Sequence, residues 1–200
     1  MKRMILLFLL ALALPMAAFA NNSVDFTNSG GKLSGSSAGL SLSGSTLIAM
    51  GSGGTVITGN LGTVDFSTAG MVSGGNLQMG ATFMAGGTFS ITGNGMDGIH
   101  NGVIFTGTFS GPVTWTLVTL ANGTHNYTLS GALTGTWYSG ATVSGATVQL
   151  TINTGKGFFN GSTTISSGDT NIVVPKPGSL TLLGTGLVGL AGVVRRKLKA

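Results

Sequence analysis

The chain has 200 residues, of which 36 are glycine, none is cysteine and only 6% are charged, with a formal net charge of +5. Seven of the nine cationic residues lie at the two ends of the chain, and between residues 21 and 174 two lysines accompany four aspartates, a balance of −2. This distribution gives no support to nucleic-acid binding through a basic patch, and the lack of cysteine excludes disulfides.

The N-terminus has the three parts of a secretory signal peptide. A basic start is followed by an apolar run over residues 4–14, and Ala18 and Ala20 provide a small-x-small site. This combination is typical of signal peptides, and the apolar run is too short for a comfortable membrane span. We therefore expect residues 1–20 to form a signal helix that is cleaved after Ala20. An uncleaved N-terminal anchor is the alternative.

The first part of the exported region indicates short strands between glycine turns. Leucine and serine alternate at residues 40–43, and further segments combine threonine with apolar residues. Glycine interrupts these patterns, so most of the expected strands are only four or five residues long. The expected strands cover residues 40–43, 46–50, 55–58, 63–66, 76–83 and 88–92.

The alternation is clearer after Gly102. Val103, Phe105 and Phe109 are predicted to share one face, with threonine and serine on the other. A period of two over such lengths is typical of a half-buried antiparallel sheet. Asn-Gly pairs supply residues that tolerate the positive φ of tight hairpin turns. The later strands are expected at 112–120, 125–138 and 146–152, with Asn-Gly turns starting at 94, 101, 122 and 160.

These patterns predict an all-β domain over residues 21–166, folded as an antiparallel β-sandwich or flattened barrel of about ten strands. A β-solenoid is the alternative, because short glycine-rich strands dominate the first half of the domain. A solenoid also needs a fixed repeat, and we find a single echo rather than a period. Residues 167–177, with two prolines near their end, are predicted to be an extended linker.

An uncharged apolar segment follows the predicted linker. Residues 178–194 have no ionisable side chain, and as a helix they would reach about 25 Å, at the short end of what spans a bilayer. Basic residues that flank a span stay on the cytoplasmic side. We expect a transmembrane helix at 178–194 in the inner membrane and a cytoplasmic tail at 195–200, with the body of the protein outside. A helix buried in a soluble core is the alternative. The basic residues that would stop translocation are Arg195, Arg196, Lys197 and Lys199.

The end of the chain resembles the PEP-CTERM sorting signal of bacterial surface proteins. Val174-Pro175-Lys176-Pro177 occupies the motif position, and the Gly/Leu span and the terminal Arg/Lys cluster follow in the family's order. The resemblance implies a Gram-negative bacterium, an exosortase-like sorting enzyme as partner, and delivery to the cell surface or extracellular matrix. It also implies an association with exopolysaccharide or biofilm. Lys176 stands where the family has glutamate and reverses the charge at that position.

The predicted domain offers few groups for catalysis or metal binding. His100, His125 and four aspartates are its acid–base side chains, and glutamate is absent. Both histidines lie near Asn-Gly pairs and are expected in exposed turns. Residues 93–98 resemble a fragment of a calcium loop, but calcium needs several carboxylates and this fragment has one. We therefore expect no catalytic residue, no metal site and no cofactor.

The aromatic residues divide into two groups by strand phase. Trp115 and Trp137 fall on the apolar phase and are expected in the core, whereas Tyr138 falls on the opposite phase and is the candidate glycan contact. We expect a non-enzymatic, envelope-anchored or exosortase-sorted surface or matrix protein. A carbohydrate-binding module is the first alternative. A polysaccharide-acting enzyme is less favoured because no paired carboxylates are evident.

Overall fold

The computed structural model describes residues 22–174, which form ten β-strands and one short 3₁₀ turn. Ser23–Val174 make one compact unit. The 3₁₀ turn is Met96–Gly98. The strands are β1 (Asn22–Ser36), β2 (Gly39–Ser52), β3 (Thr55–Ser67), β4 (Gly80–Phe83), β5 (Gly86–Asn94), β6 (Asn101–Phe109), β7 (Val113–Thr119), β8 (His125–Trp137), β9 (Thr142–Asn153) and β10 (Ser162–Val174).

Most of the predicted targeting features lie outside the described residues. These are the signal segment 1–20 with Ala18 and Ala20, the span 178–194 and the tail 195–200. The same holds for the motif residues Pro175, Lys176 and Pro177 and for the basic cluster of Arg195, Arg196, Lys197 and Lys199. Within residues 22–174, no helix combines the length and the apolar character that crossing a membrane requires.

The sheet closes on itself as an antiparallel barrel. Most pairings join strands that follow each other in the chain, but β3 pairs with β5, β6 pairs with β8 and β4 pairs with β7. The pairings of β8 with β9 and of β10 with β1 close the ring. The expected all-β antiparallel fold of about ten strands is thus confirmed, in its flattened-barrel form, since a single sheet closes around one core. The β-solenoid alternative is wrong, because neighbouring strands run in opposite directions in an up-and-down meander.

The ten strand segments correspond to eight long strands around the barrel. Gly80 of β4 pairs with Thr116 of β7 in the same register in which Phe89 of β5 pairs with Gly107 of β6. Hence β4 and β5 form one interrupted strand, and β6 and β7 form its interrupted partner. β6 and β7 both pair with the same edge of β8. The interruption between them, around Pro112, shifts the register of this pairing by two residues.

Side chains alternate between an apolar interior and a polar exterior. Along β9, Val148, Leu150 and Ile152 are buried, while Thr147 and Gln149 between them are exposed. The same alternation on the other strands fills the barrel with aliphatic and aromatic side chains, in one continuous core. The hydroxyl and amide groups that give the chain its polarity therefore lie on the outer wall.

Val103 departs from the predicted phase. It is 50% exposed, whereas Ile104 and Phe105 are both buried. The cause is a bulge, because Thr92 pairs with Val103 while Ile91 pairs with Phe105, which leaves Ile104 as an extra residue. A bulge moves the following side chains by one position relative to a simple period of two.

The predicted linker is wrong for residues 167–174. These residues belong to β10, where they pair with β9 and bury Ile172 completely. The strand was not predicted because consecutive polar residues such as Ser166 and Ser167 interrupt the alternation, and only every second side chain of β10 lies in the core. The first strand, β1, was not predicted for the same reason, and the predicted strand at 76–83 begins only at Gly80.

Several strand glycines are required by close backbone contact. Gly107 and Gly135 are directly paired on β6 and β8. A Cβ atom on Gly107 would lie 2.3 Å from the carbonyl oxygen of Thr134 and 2.9 Å from the ring of Phe105. The Phe105 ring therefore occupies the space that side chains on this glycine pair would need.

We predict that Gly107→Ala lowers the free energy of unfolding by about 1–3 kcal/mol, because the new methyl group overpacks against fixed backbone. Gly111→Ala is the matched control, since its Cβ would meet no atom within 4 Å, and it should change stability by less than about 0.5 kcal/mol. Urea unfolding followed by tryptophan fluorescence measures both. Equal stability of the two variants would contradict the close approach of β6 and β8.

Candidate functional site

The two ends of the barrel differ in which parts of the chain they carry. Asn171 donates to the hydroxyl of Ser23 at 2.8 Å, and Thr27 donates to Asp169 at 3.0 Å, so β1 and β10 run antiparallel side by side. The start of β1 and the end of β10 therefore lie at the same end, here called the terminal end, with the turns at 53–54, 95–100 and 138–141. The opposite end, here called the loop end, carries the turns at 37–38, 73–79, 120–124 and 154–161.

Tyr138 lies at the terminal end as an exposed aromatic side chain. It is 54% exposed, and its ring stacks on His100 with a centroid distance of 4.5 Å and an interplanar angle of 14°. Its backbone N–H donates to the carbonyl of Ile104 at 2.8 Å, which fixes the turn after β8. The tilted ring of Trp137 is also close, with a centroid distance of 5.4 Å. The side chain is held in place and remains accessible.

The two histidines occupy different environments at opposite ends of the barrel. His100 is exposed at the terminal end, as expected. The expectation of an exposed turn is wrong for His125, which is buried at the start of β8, stacked on Phe158 at 4.3 Å and hydrogen-bonded through Nδ1 to the Thr119 hydroxyl at 3.1 Å. A hairpin turn precedes His125, but its ring is covered by the loop between β9 and β10.

Three aromatic residues close the loop end. Trp115 stacks on Tyr127 at 4.9 Å, and Phe159 packs edge-on against Trp115 at 5.4 Å. Trp115 donates to the carbonyl of Leu77, Tyr127 donates to the carbonyl of Gln78, and the Tyr127 oxygen accepts from the N–H of Phe159. The prediction that Trp115 and Trp137 are core residues is confirmed, and Trp115 also ties two loops to the core.

A shallow groove with a volume of about 680 Å³ lies on the outer wall. Two rows of outward side chains define this outer groove, because residues paired across neighbouring strands stand side by side. One row is Thr114, Ser130, Gln149 and Asp169 on β7 to β10. The other is Ala132, Thr147, Asn171 and Asp25 on β8, β9, β10 and β1. Pro112 lies at one end of the groove.

The outer groove brings two aspartates together. Asn171 donates to Asp25, and Thr27 donates to Asp169, so the two aspartates are diagonal neighbours on adjacent strands. Sequence analysis missed this pair because 144 positions separate the two residues. The pairing of β1 with β10, which no local pattern encodes, is what joins them.

The outer groove is rich in hydrogen-bonding groups and exposed to solvent. Thr114 and Ser130 share a hydrogen bond of 2.7 Å, while the Gln149 and Thr147 side chains are exposed. Donors and acceptors of this kind recognise polar ligands that carry many hydroxyl groups.

The predicted calcium-loop fragment forms a tight turn around a single carboxylate. Asp97 has a φ of 52° and lies in the short 3₁₀ turn at the terminal end. Across residues 22–174, no three histidine, aspartate or glutamate side chains are grouped as a metal site would need. A second, smaller depression next to β4 and β7 is lined by glycines and by apolar residues such as Met79 and Leu117.

Comparison with known proteins gives no match. No protein-family description matches the sequence, and searches of curated proteins and of solved structures give no significant match.

We predict that Tyr127→Phe lowers the free energy of unfolding by about 2 kcal/mol, because the Phe159 N–H and the Gln78 carbonyl lose their shared partner at a buried site. Tyr138→Phe removes the same hydroxyl group from an exposed ring and should change stability by less than about 0.5 kcal/mol. Urea unfolding of both variants measures the difference. If both variants unfold at the wild-type urea concentration, the Tyr127 hydroxyl does not hold the loop end closed.

Proposed function

We propose that this chain is an exported bacterial protein, anchored in the envelope or sorted by an exosortase-like enzyme, whose barrel acts without catalysis in the surface or extracellular matrix. The sequence supports this through the signal-like residues 1–20, the motif Val174-Pro175-Lys176-Pro177 and the uncharged segment 178–194. The proposal includes an association with exopolysaccharide or biofilm, as the resemblance of the C-terminal segment implies.

The observation that carries the proposal is that residues 22 and 174 lie at the same end of one closed barrel. An exported domain held by one tether needs its attachment point at an end, so that the wall and the opposite end remain accessible. β10 ends at Val174, which is also the first residue of the sorting motif. A sorting enzyme would therefore act close to the terminal end.

A carbohydrate-binding module is the second candidate function. It is supported by the exposed Tyr138 ring, which is held flat against His100, since aromatic faces stack well on apolar surfaces. It is also supported by the polar lining of the outer groove. This function is compatible with export and would give the anchored barrel a ligand.

We predict that the full chain, expressed in a Gram-negative host, is recovered with the envelope and that protease added to spheroplasts degrades its barrel. Deletion of residues 2–20 is the control and should leave the protein in the cytoplasm, because the export signal is gone. Fractionation and immunoblotting measure both. Recovery of the full chain as a soluble cytoplasmic protein would end the proposal.

We also predict that Lys176→Glu increases cleavage of the tail in a host that contains an exosortase, because it restores the acidic residue of the family's motif. Lys156→Glu makes the same charge change at an exposed loop position of the barrel, outside the sorting signal, and should not increase cleavage. The shift of the released barrel to lower mass on immunoblots is the measurement. Equal cleavage of wild type and Lys176→Glu would show that residue 176 does not control processing.

A further inference from the structure

We propose that the outer groove binds a polysaccharide that carries free amino groups. The inference rests on the proposed function, in which the barrel is exposed to extracellular glycans, and it assigns the ligand to the outer wall rather than to Tyr138. The carboxylates of Asp25 and Asp169 would bind ammonium groups of the ligand, while the neutral side chains would bind its hydroxyl groups.

The length of the outer groove suits an extended chain. The row from Thr114 to Asp169 continues to Thr27 on β1, and it therefore crosses five strands. At about 4.8 Å between neighbouring strands, this row is about 19 Å long. A linear polymer lying across the strands would meet a hydrogen-bonding side chain at each strand. A small ligand would contact only some of these side chains.

The floor of the outer groove is low because its central residues are small. Gly131 faces the core, where a Cβ would meet the Phe109 ring at 2.8 Å, and the outward residue next to it on β8 is the small Ala132. Ala132 and Pro112 provide a short apolar surface beside the hydroxyl groups of Thr114 and Ser130. Alternating apolar and hydrogen-bonding surface matches a sugar ring, which has apolar C–H faces and hydroxyl groups at its edge.

Charge decides which class of glycan fits. Asp25 and Asp169 each accept a hydrogen bond through Oδ1, and neither Oδ2 accepts one from the described residues. Lysine, arginine and histidine are absent from the described lining of the outer groove. A ligand with carboxylates of its own would be repelled here, whereas an ammonium group gains a charge-assisted hydrogen bond.

The test uses the full chain, purified in detergent micelles, and isothermal titration calorimetry with three probes. The probes are a glucosamine oligosaccharide, its fully N-acetylated counterpart and an oligogalacturonate. We expect binding of the glucosamine oligomer, at least about tenfold weaker binding of the N-acetylated form and no binding of the uronate. Higher salt should weaken the binding, since the carboxylates are exposed.

The double variant Asp25→Asn, Asp169→Asn removes both charges but keeps acceptor oxygens for Asn171 and Thr27. It should bind the glucosamine oligomer at least about tenfold more weakly than wild type and unfold at a similar urea concentration. Asp97→Asn is the matched control, because it removes one charge outside the outer groove from a turn that tolerates asparagine. It should leave the affinity unchanged.

Several results would overturn the inference. They are no binding of the glucosamine oligomer by folded wild type, equal binding of the N-acetylated form, equal binding of the polyamine spermidine, or an equal loss in Asp97→Asn. If the wild-type protein released reducing ends from the oligosaccharide and the double variant did not, the outer groove would be a catalytic site with paired carboxylates rather than a binding site. None of these results changes where the protein is recovered in cell fractions, so failure of this inference is distinguishable from failure of the proposed export.

Discussion

The fold depends on the pairing of its first and last strands. Without contact between β1 and β10, the sheet would be an open meander with two unpaired edges and its apolar face exposed to water. Free edges of this kind pair with other chains. The pairing is reinforced on the outer wall, where Asn171 and Asp169 of β10 bind Ser23, Asp25 and Thr27 of β1. The same side chains form one side of the outer groove, so the closure of the barrel and the outer groove share residues.

The composition of the chain follows from this architecture. An eight-stranded barrel of long strands has one apolar side chain inside for each polar one outside, and hydroxyl groups replace charges on the exterior. Glycine is frequent because the wall bends and because strands such as β6 and β8 approach closely at Gly107 and Gly135. The Phe105 ring covers this glycine pair from the barrel interior, so it makes the packing contacts that glycine, without a side chain, cannot make.

The sequence was sufficient to predict strands in which apolar and polar residues alternate without interruption. It was insufficient where this alternation breaks. β7, β8 and β9 were predicted close to their observed bounds, because Trp115, Tyr127 and Val148 alternate regularly with threonine. The bulge at Ile104 reversed the phase of Val103, since an extra residue leaves no local signature. β1 and β10 were missed because glycine, serine and asparagine occupy so many of their positions. The outer groove could not be predicted at all, because Asp25 and Asp169 become neighbours only when the barrel closes, whereas Tyr138 was found from strand phase alone.

The pairing of β1 with β10 has a consequence for biogenesis. The hydrogen bond between Ser23 and Asn171 joins residues 148 positions apart, so the ring can be completed only when nearly the whole domain is free to fold. Contacts of such long range form slowly. On the proposed export route, a partly translocated chain would present an incomplete cylinder, and chaperones that shield exposed strand edges would protect it until the final segment arrives.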